Sequence, residues 1–203
     1  MGKYEDNLEL LRRAVRCEPV ERVPVVPCGN AYYARVNHIP MKDYINNFEL
    51  ACDANIKEHL RLDADGTQNV IFSPYLLGTQ WLSRAAIPGV DLPDDDMWQV
   101  LEINENMKFE DYEKIKEMGW DAWQKQFIAQ HCDDNWRKLE PFFAANPAAY
   151  KKFYDAGIPC ICDFLMITPF EYFCGGRSLA TFLMDDVLEE PELMHGNYSV
   201  PTS

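Results

Sequence analysis

Residues 62–74, Leu-Asp-Ala-Asp-Gly-Thr-Gln-Asn-Val-Ile-Phe-Ser-Pro, read as a buried strand whose carboxyl end opens into a loop. In a parallel α/β architecture, that end of a strand is where ligands sit and catalytic side chains are mounted. The residue after Ser73 therefore bears on chemistry. It is Pro74, which neither ionises nor donates a hydrogen bond.

The flanking sequence extends this reading. Residues 4–16 place Leu8, Leu11 and Val15 at helical spacing, with arginines toward the end that suit the helix dipole. Val23-Pro24-Val25-Val26-Pro27 reads as a short strand, Gly29 and Asn30 as a loop, and Phe48 to Leu60 as a helix with Phe48, Ala51, Cys52, Ile56 and Leu60 on one stripe. A strand over Gly66 to Phe72 then completes a strand–helix–strand unit, which implies parallel strands with a right-handed crossover. A third strand is expected near Pro159 to Leu165. Between them, Pro88 to Pro93 is turn-rich and Met97 to Ile103 alternates as an excursion strand or hairpin. Helices are expected over Glu110 to Met118, Asp121 to Gln130, Asn135 to Ala156 (interrupted by Pro141 and Pro147), from Phe170 after Pro169, over Leu179 to Leu188, and from Pro191.

Composition sets the outer bounds. With 203 residues, 47% of them hydrophobic and 13% aromatic, the chain can bury a sizeable core in one domain or slightly more. Thirty-three acidic against 19 basic residues give a net charge of -14, which repels phosphate backbones and anionic membranes, so neither nucleic acid nor membrane is an expected partner. No apolar run approaches the ~20 residues that cross a bilayer, and MGKYEDNLELLRR is amphipathic and acidic rather than signal-like. A cytoplasmic protein is expected, its seven cysteines reduced.

Four stretches, RVPVVPCGNAYYAR, LDADGTQNVIFSP, GVDLPDDDMWQVLE and TPFEYFCGGRSLATFLMDDVLEEPEL, occur in this order. Together they resemble the amino-terminal part of the uroporphyrinogen decarboxylase superfamily, over nearly the whole chain to about Leu193. The resemblance implies a partial TIM (β/α)8-type barrel, about the first three strand–helix units with an N-terminal helix, over residues 1–194, followed by an irregular tail over 195–203. It also implies one of two chemistries, porphyrinogen decarboxylation or corrinoid-linked methyl transfer. In decarboxylases, two arginines after the first strand grip the substrate carboxylates; the matching positions here are Gly29 and Tyr33. The family's aspartate after IFS is replaced by Pro74, and its tyrosine after strand three by Gly175, with Tyr172 one helical turn earlier.

Three departures at independent positions favour the methyltransferase branch. Its members, by resemblance, hold zinc on a His-x-Cys pair and a further Cys, so that a thiol attacks a methyl group on a corrinoid carrier protein. Those ligands come from the carboxyl-terminal half of the barrel, so no cofactor is identifiable here and zinc belongs to a full-length relative. A complete barrel needs about 250 residues, and three strands fall within the first ~165 of them, so the chain reads as truncated. An open partial barrel leaves a strand edge unpaired, so self-association is expected, and a non-catalytic half-barrel interaction module or inactive fragment stands as the alternative to either enzyme.

The candidate substrate-binding residues are those at strand ends: Cys28, Asn30 and Tyr32 after the first, Ser73 and Tyr75 after the second, and Thr168 after the third, joined by Arg177 as a cation for an anionic ligand. Asn and Tyr hydrogen-bond polar ligands, and Tyr rings pack on flat ones. No catalytic residue is identifiable, and a small-molecule ligand is the expected partner beside the corrinoid carrier. Other groups have plainer readings. Cys160 and Cys162 pack as small hydrophobes, His131-Cys132 point apart on a helix end, His38 and His59 are solvated or hydrogen-bonded, and Asp94-Asp95-Asp96 form a solvated turn. Arg84 is a further cation, and the five tryptophans add bulk.

Overall fold

The computed structural model describes residues 2–101, 106–162 and 167–198. The chain divides into two compact units, one formed by Met1–Ser73, Leu92–Met97 and Pro141–Leu165, the other by Pro74–Asp91, Trp98–Glu140 and Met166–Ser203.

The first unit is built on helices α1 (Lys3–Val15), α2 (Ala31–Val36), α3 (Met41–Asn46), α4 (Phe48–Arg61) and nearly all of α9 (Glu140–Asp155). Asn47 starts α4 by accepting from the Leu50 amide at 3.0 Å. The buried stripe of α4 is Ala51, Cys52, Ala54, Asn55, Glu58 and His59. This face is rotated from the expected one, since Leu60 is 47% exposed and His59 fully buried. The polar members explain the rotation. Asn55 accepts from the Tyr44 hydroxyl at 2.8 Å and donates to the Val70 carbonyl at 2.9 Å, joining α3 and the segment after α4 to one amide. Asn7 of α1 donates to the Gly157 carbonyl at 3.0 Å. Pro147 sits inside α9, and Pro141 in its first turn, where the missing N–H costs nothing.

The second unit holds α5 (Tyr75–Gln80), β1 (Ala85–Ala86), β2 (Gln99–Val100), α6 (Asp111–Met118), α7 (Trp120–His131), α8 (Asn135–Lys138), α10 (Pro169–Arg177), α11 (Leu179–Thr181), a π-helical turn (Phe182–Val187) and α12 (Pro191–Tyr198). Its core gathers Tyr112 and Ile115 from α6, Trp123 and Phe127 from α7, and Phe173 and Phe182. The expected strand within Met97 to Ile103 is present as β2, paired antiparallel with β1, although Ile103 lies outside the described residues. The final helix runs on to Tyr198, four residues into the stretch expected to be irregular.

The partial TIM barrel is overturned. Among the described residues the one sheet is the two-stranded β1–β2 pair, and the chain is mainly helical. The three expected strands are extended segments with sparse pairing. The Asp65 amide donates to the Val25 carbonyl, Thr67 N–H to the Pro159 carbonyl, and Ile161 N–H to the Thr67 carbonyl, each at 2.9 Å. A single parallel bridge, Thr67 to Cys160, results. Two causes are visible. Pro24, Pro27 and Pro159 bring no N–H to a ladder. In the central segment, side chains capture the backbone locally: Thr67 Oγ1 donates to the Asn69 carbonyl at 2.7 Å, and Asn69 Nδ2 to the Ile71 carbonyl at 3.1 Å. The part of the third segment over 163–165 lies outside the described residues.

Candidate functional site

Sparse backbone pairing brings these three segments side by side within the first unit. The buried Asp65 carboxylate fixes the start of the arrangement. It accepts two bonds from Arg22, one of them at 2.6 Å, and a third from the Val25 amide at 2.8 Å. The Arg22 guanidinium, above all, holds Asp65 below the usual carboxylate range, despite the opposing effect of burial.

At the other end of the same segments lies a polar cluster of neutral groups. Asn69 Nδ2 donates to Asn30 Oδ1 at 2.9 Å, Cys28 Sγ donates to Asn69 Oδ1 at 3.4 Å, and Asn30 Nδ2 lies 3.8 Å from Cys28 Sγ. Asn30 precedes α2 with φ of 32°, outside the regions favoured by most residues. Burial of the sulfur, with a lesser contribution from neighbouring Cys162, pushes the Cys28 thiol upward, so it is a neutral hydrogen-bond donor near pH 7. On the third segment, Cys160 Sγ lies 3.4 Å from the Gln68 carbonyl, while Cys162 is exposed. Tyr32 stands on α2, half exposed, its hydroxyl accepting from Arg61 at 3.3 Å.

Of the sequence-predicted site residues, Cys28 and Asn30 are brought together, with Tyr32 on the helix that Asn30 opens. Ser73 is in the first unit but buried. Tyr75, Thr168 and Arg177 belong to the second unit, where each has a structural role. The Lys138 ammonium lies 5.1 Å from the Tyr75 ring centroid. Thr168 caps α10, with Glu171 reaching back to its amide at 3.1 Å. Arg177 is buried, its guanidinium gripping Asp186 through two 2.8 Å bonds and the Met107 carbonyl through a third at 3.2 Å. It is therefore unsuited to an external anion.

Asn69 was missed by sequence reasoning. Its signal was an amide inside an apolar run, where a side chain that competes for backbone bonds is out of place unless it has partners. His59 was misread as solvated. It is fully buried, between the Tyr33 and Phe153 rings at 5.2 and 5.5 Å. The remaining candidates fall into structural pairings: Arg84 with Asp133 at 2.6 Å, and Asp94 with Lys42 at 2.7 Å. Cys132 is buried in the second core, its thiol pushed up to about 12 by burial. Tyr172 packs on Trp120 with centroids 4.9 Å apart.

The second unit also carries an apolar cleft of about 580 Å³ between α5, α10 and β2, lined by Leu77, Trp81, Leu101, Phe170 and Cys174, with Glu171 as its charged group. Among the described residues, no three His, Cys, Asp or Glu side chains come together as a metal-binding group. No described helix is long and apolar enough to cross a membrane. No protein-family model, no curated protein and no solved structure matches this chain.

Proposed function

We propose that this chain takes part in corrinoid-linked methyl transfer in the cytoplasm, holding a small methyl acceptor, a thiol or a folate, at the Cys28–Asn30–Asn69 edge. The observation that carries the reading is the chemistry of this edge. Its hydrogen-bonding groups are amides and a neutral thiol, suited to a polar ligand of low charge. A porphyrinogen, with its many carboxylates, calls for cations there. Of the positions that hold arginine in the decarboxylases this sequence resembles, one is Gly29 and the other is Tyr33, whose side chain is buried.

Asn30 and Asn69 orient the acceptor, and the exposed face of Tyr32 offers a surface for a flat ring. In the transfer, the acceptor thiol releases its proton to solvent and the sulfur lone pair forms the new S–CH3 bond. The cobalt–carbon bond of the partner's methylcorrinoid breaks, leaving its electron pair on cobalt.

The test incubates the protein with methylcobalamin and either 2-mercaptoethanol or tetrahydrofolate, and measures methylated acceptor by mass spectrometry. Product above the protein-free rate with one acceptor is expected. Asn69→Ala should reduce it about tenfold, the equivalent of one well-made hydrogen bond. No transfer with either acceptor, or consumption of uroporphyrinogen in a parallel incubation, overturns the reading.

A further inference from the structure

Three buried groups beneath the Cys28–Asn30 loop are coupled in a way that the proposed chemistry does not use. Gly29 lies flat against the Tyr33 ring, so closely that a Cβ at this position would fall 2.2 Å from Tyr33 Cζ. The Tyr33 side chain continues inward until its hydroxyl is 3.5 Å from His59 Nε2. On its other side, His59 Nδ1 lies 2.7 Å from the Asn55 carbonyl, a group that only accepts. Nδ1 therefore carries the proton in the neutral ring, Nε2 keeps its lone pair, and the Tyr33 hydroxyl is the donor toward it.

We propose that His59 is a proton-operated latch on the Cys28–Asn30 loop: protonation at Nε2 puts a positive charge among neutral groups in a site that Tyr33 closes off, and opening to water, which relieves that charge, frees α2 with the loop it anchors. The inference rests on reading this loop as a recognition edge, but not on methyl transfer. A charged imidazole has little to compensate it here. The groups that face it are the Tyr33 hydroxyl from α2, the Phe153 ring from α9, the Asn55 carbonyl from its own helix and the Pro27 carbonyl just before Cys28. Its neighbour Glu58 is taken up by Arg61 at 2.6 Å and Asn37 at 3.2 Å. Tyr33 stays neutral, its phenol pushed up to about 12 by burial.

Burial holds the His59 imidazole below its usual value of 6.5, against the pull of the Asn55 and Pro27 carbonyls. Above pH 6.5 the ring is neutral whether the loop is closed or open. As pH falls below this value, the open form, in which water reaches the ring, takes up the proton first and opening becomes favoured; the effect is complete once pH has passed below the closed-state value.

Amide hydrogen exchange of the peptide spanning residues 29–36, corrected for intrinsic rates and referenced to a peptide from α4 outside the contact, is measured alongside the His59 imidazole signal in NMR. The protection of residues 29–36 is expected to fall severalfold on acidification, following the His59 titration, and to lose that pH dependence in His59→Gln. Tyr33→Phe should lower protection already at neutral pH. Protection that stays constant through the His59 titration, or a His59 signal that titrates at the ordinary value, overturns the proposal using the unmodified protein alone. Failure of methyl transfer leaves this result untouched.

Discussion

Arg177 and Asp186 form a closed electrostatic unit. The carboxylate is fully buried and accepts from the Tyr112 hydroxyl at 2.7 Å as well as from both arms of the guanidinium. A bidentate arginine satisfies such a carboxylate in a way that a lysine point charge does not. Arg177→Met removes the counter-charge while keeping much of the bulk, leaving the Asp186 carboxylate buried without its bidentate partner. Unfolding in urea should report a loss of about 3–5 kcal/mol, and Arg177→Lys should restore only part of it. A loss below about 1 kcal/mol would show that water reaches Asp186. Ligand affinity, measured on the folded variant, should not respond through charge at this position.

Close approach between helices sets the tolerance of the second unit. Gly175 of α10 meets α5 so tightly that a Cβ there would lie 2.0 Å from the Trp81 carbonyl oxygen, and backbone cannot move aside as a side chain does. Gly175→Ala should therefore destabilise by about 1–3 kcal/mol in chemical denaturation and perturb Trp81 fluorescence. Gly119, with φ of 83° and open space around it, is the control: alanine there meets backbone strain but no collision. The elements themselves were unevenly legible in the sequence. Helices α6 and α7 lie within a residue or so of their periodic apolar patterns, whereas α5 was not foreseen and the helix expected over Leu179 to Leu188 is α11 followed by the π-helical turn. The three strands were not legible, because apolar content reads as strand whether or not ladder donors exist. Val23 to Pro27 is mostly Val and Pro, and the prolines remove the bonds that would define the strand. Around the polar cluster, Cys28 and Asn30 were legible as loop residues after the first segment. Asn69 needed knowledge of the opposite segment, and the burial of His59 depended on which face of α4 its polar neighbours select.

Across the whole molecule, the charge balance works against compaction. A net charge of -14 over 203 residues implies self-repulsion, of which the ion pairs on the surface, such as Lys152 with Asp53 at 2.7 Å, relieve only a part. Raising ionic strength from about 0.02 to about 0.3 M shortens the screening length severalfold and should raise the thermal midpoint. A midpoint that falls with sodium chloride in a scanning experiment would mean that attractive pairs outweigh repulsion. The same charge disfavours approach to nucleic acid, in keeping with an edge built from amides and a neutral thiol. One local irregularity bears on how such a chain tolerates change in length. The π-helical turn Phe182–Val187 is wound more widely than an α-helix and so carries a surplus residue, with Phe182 and Asp186 buried and Met184 facing solvent. Losing the residue at Met184 would relax the turn to ordinary winding and leave Phe182 and Asp186 near their present faces, whereas the same loss from a regular α-helix turns everything downstream by about 100°. A one-codon deletion at Met184 should thus cost less here than in any α-helix of the chain, and the turn acts as slack in the segment leading into the last helix.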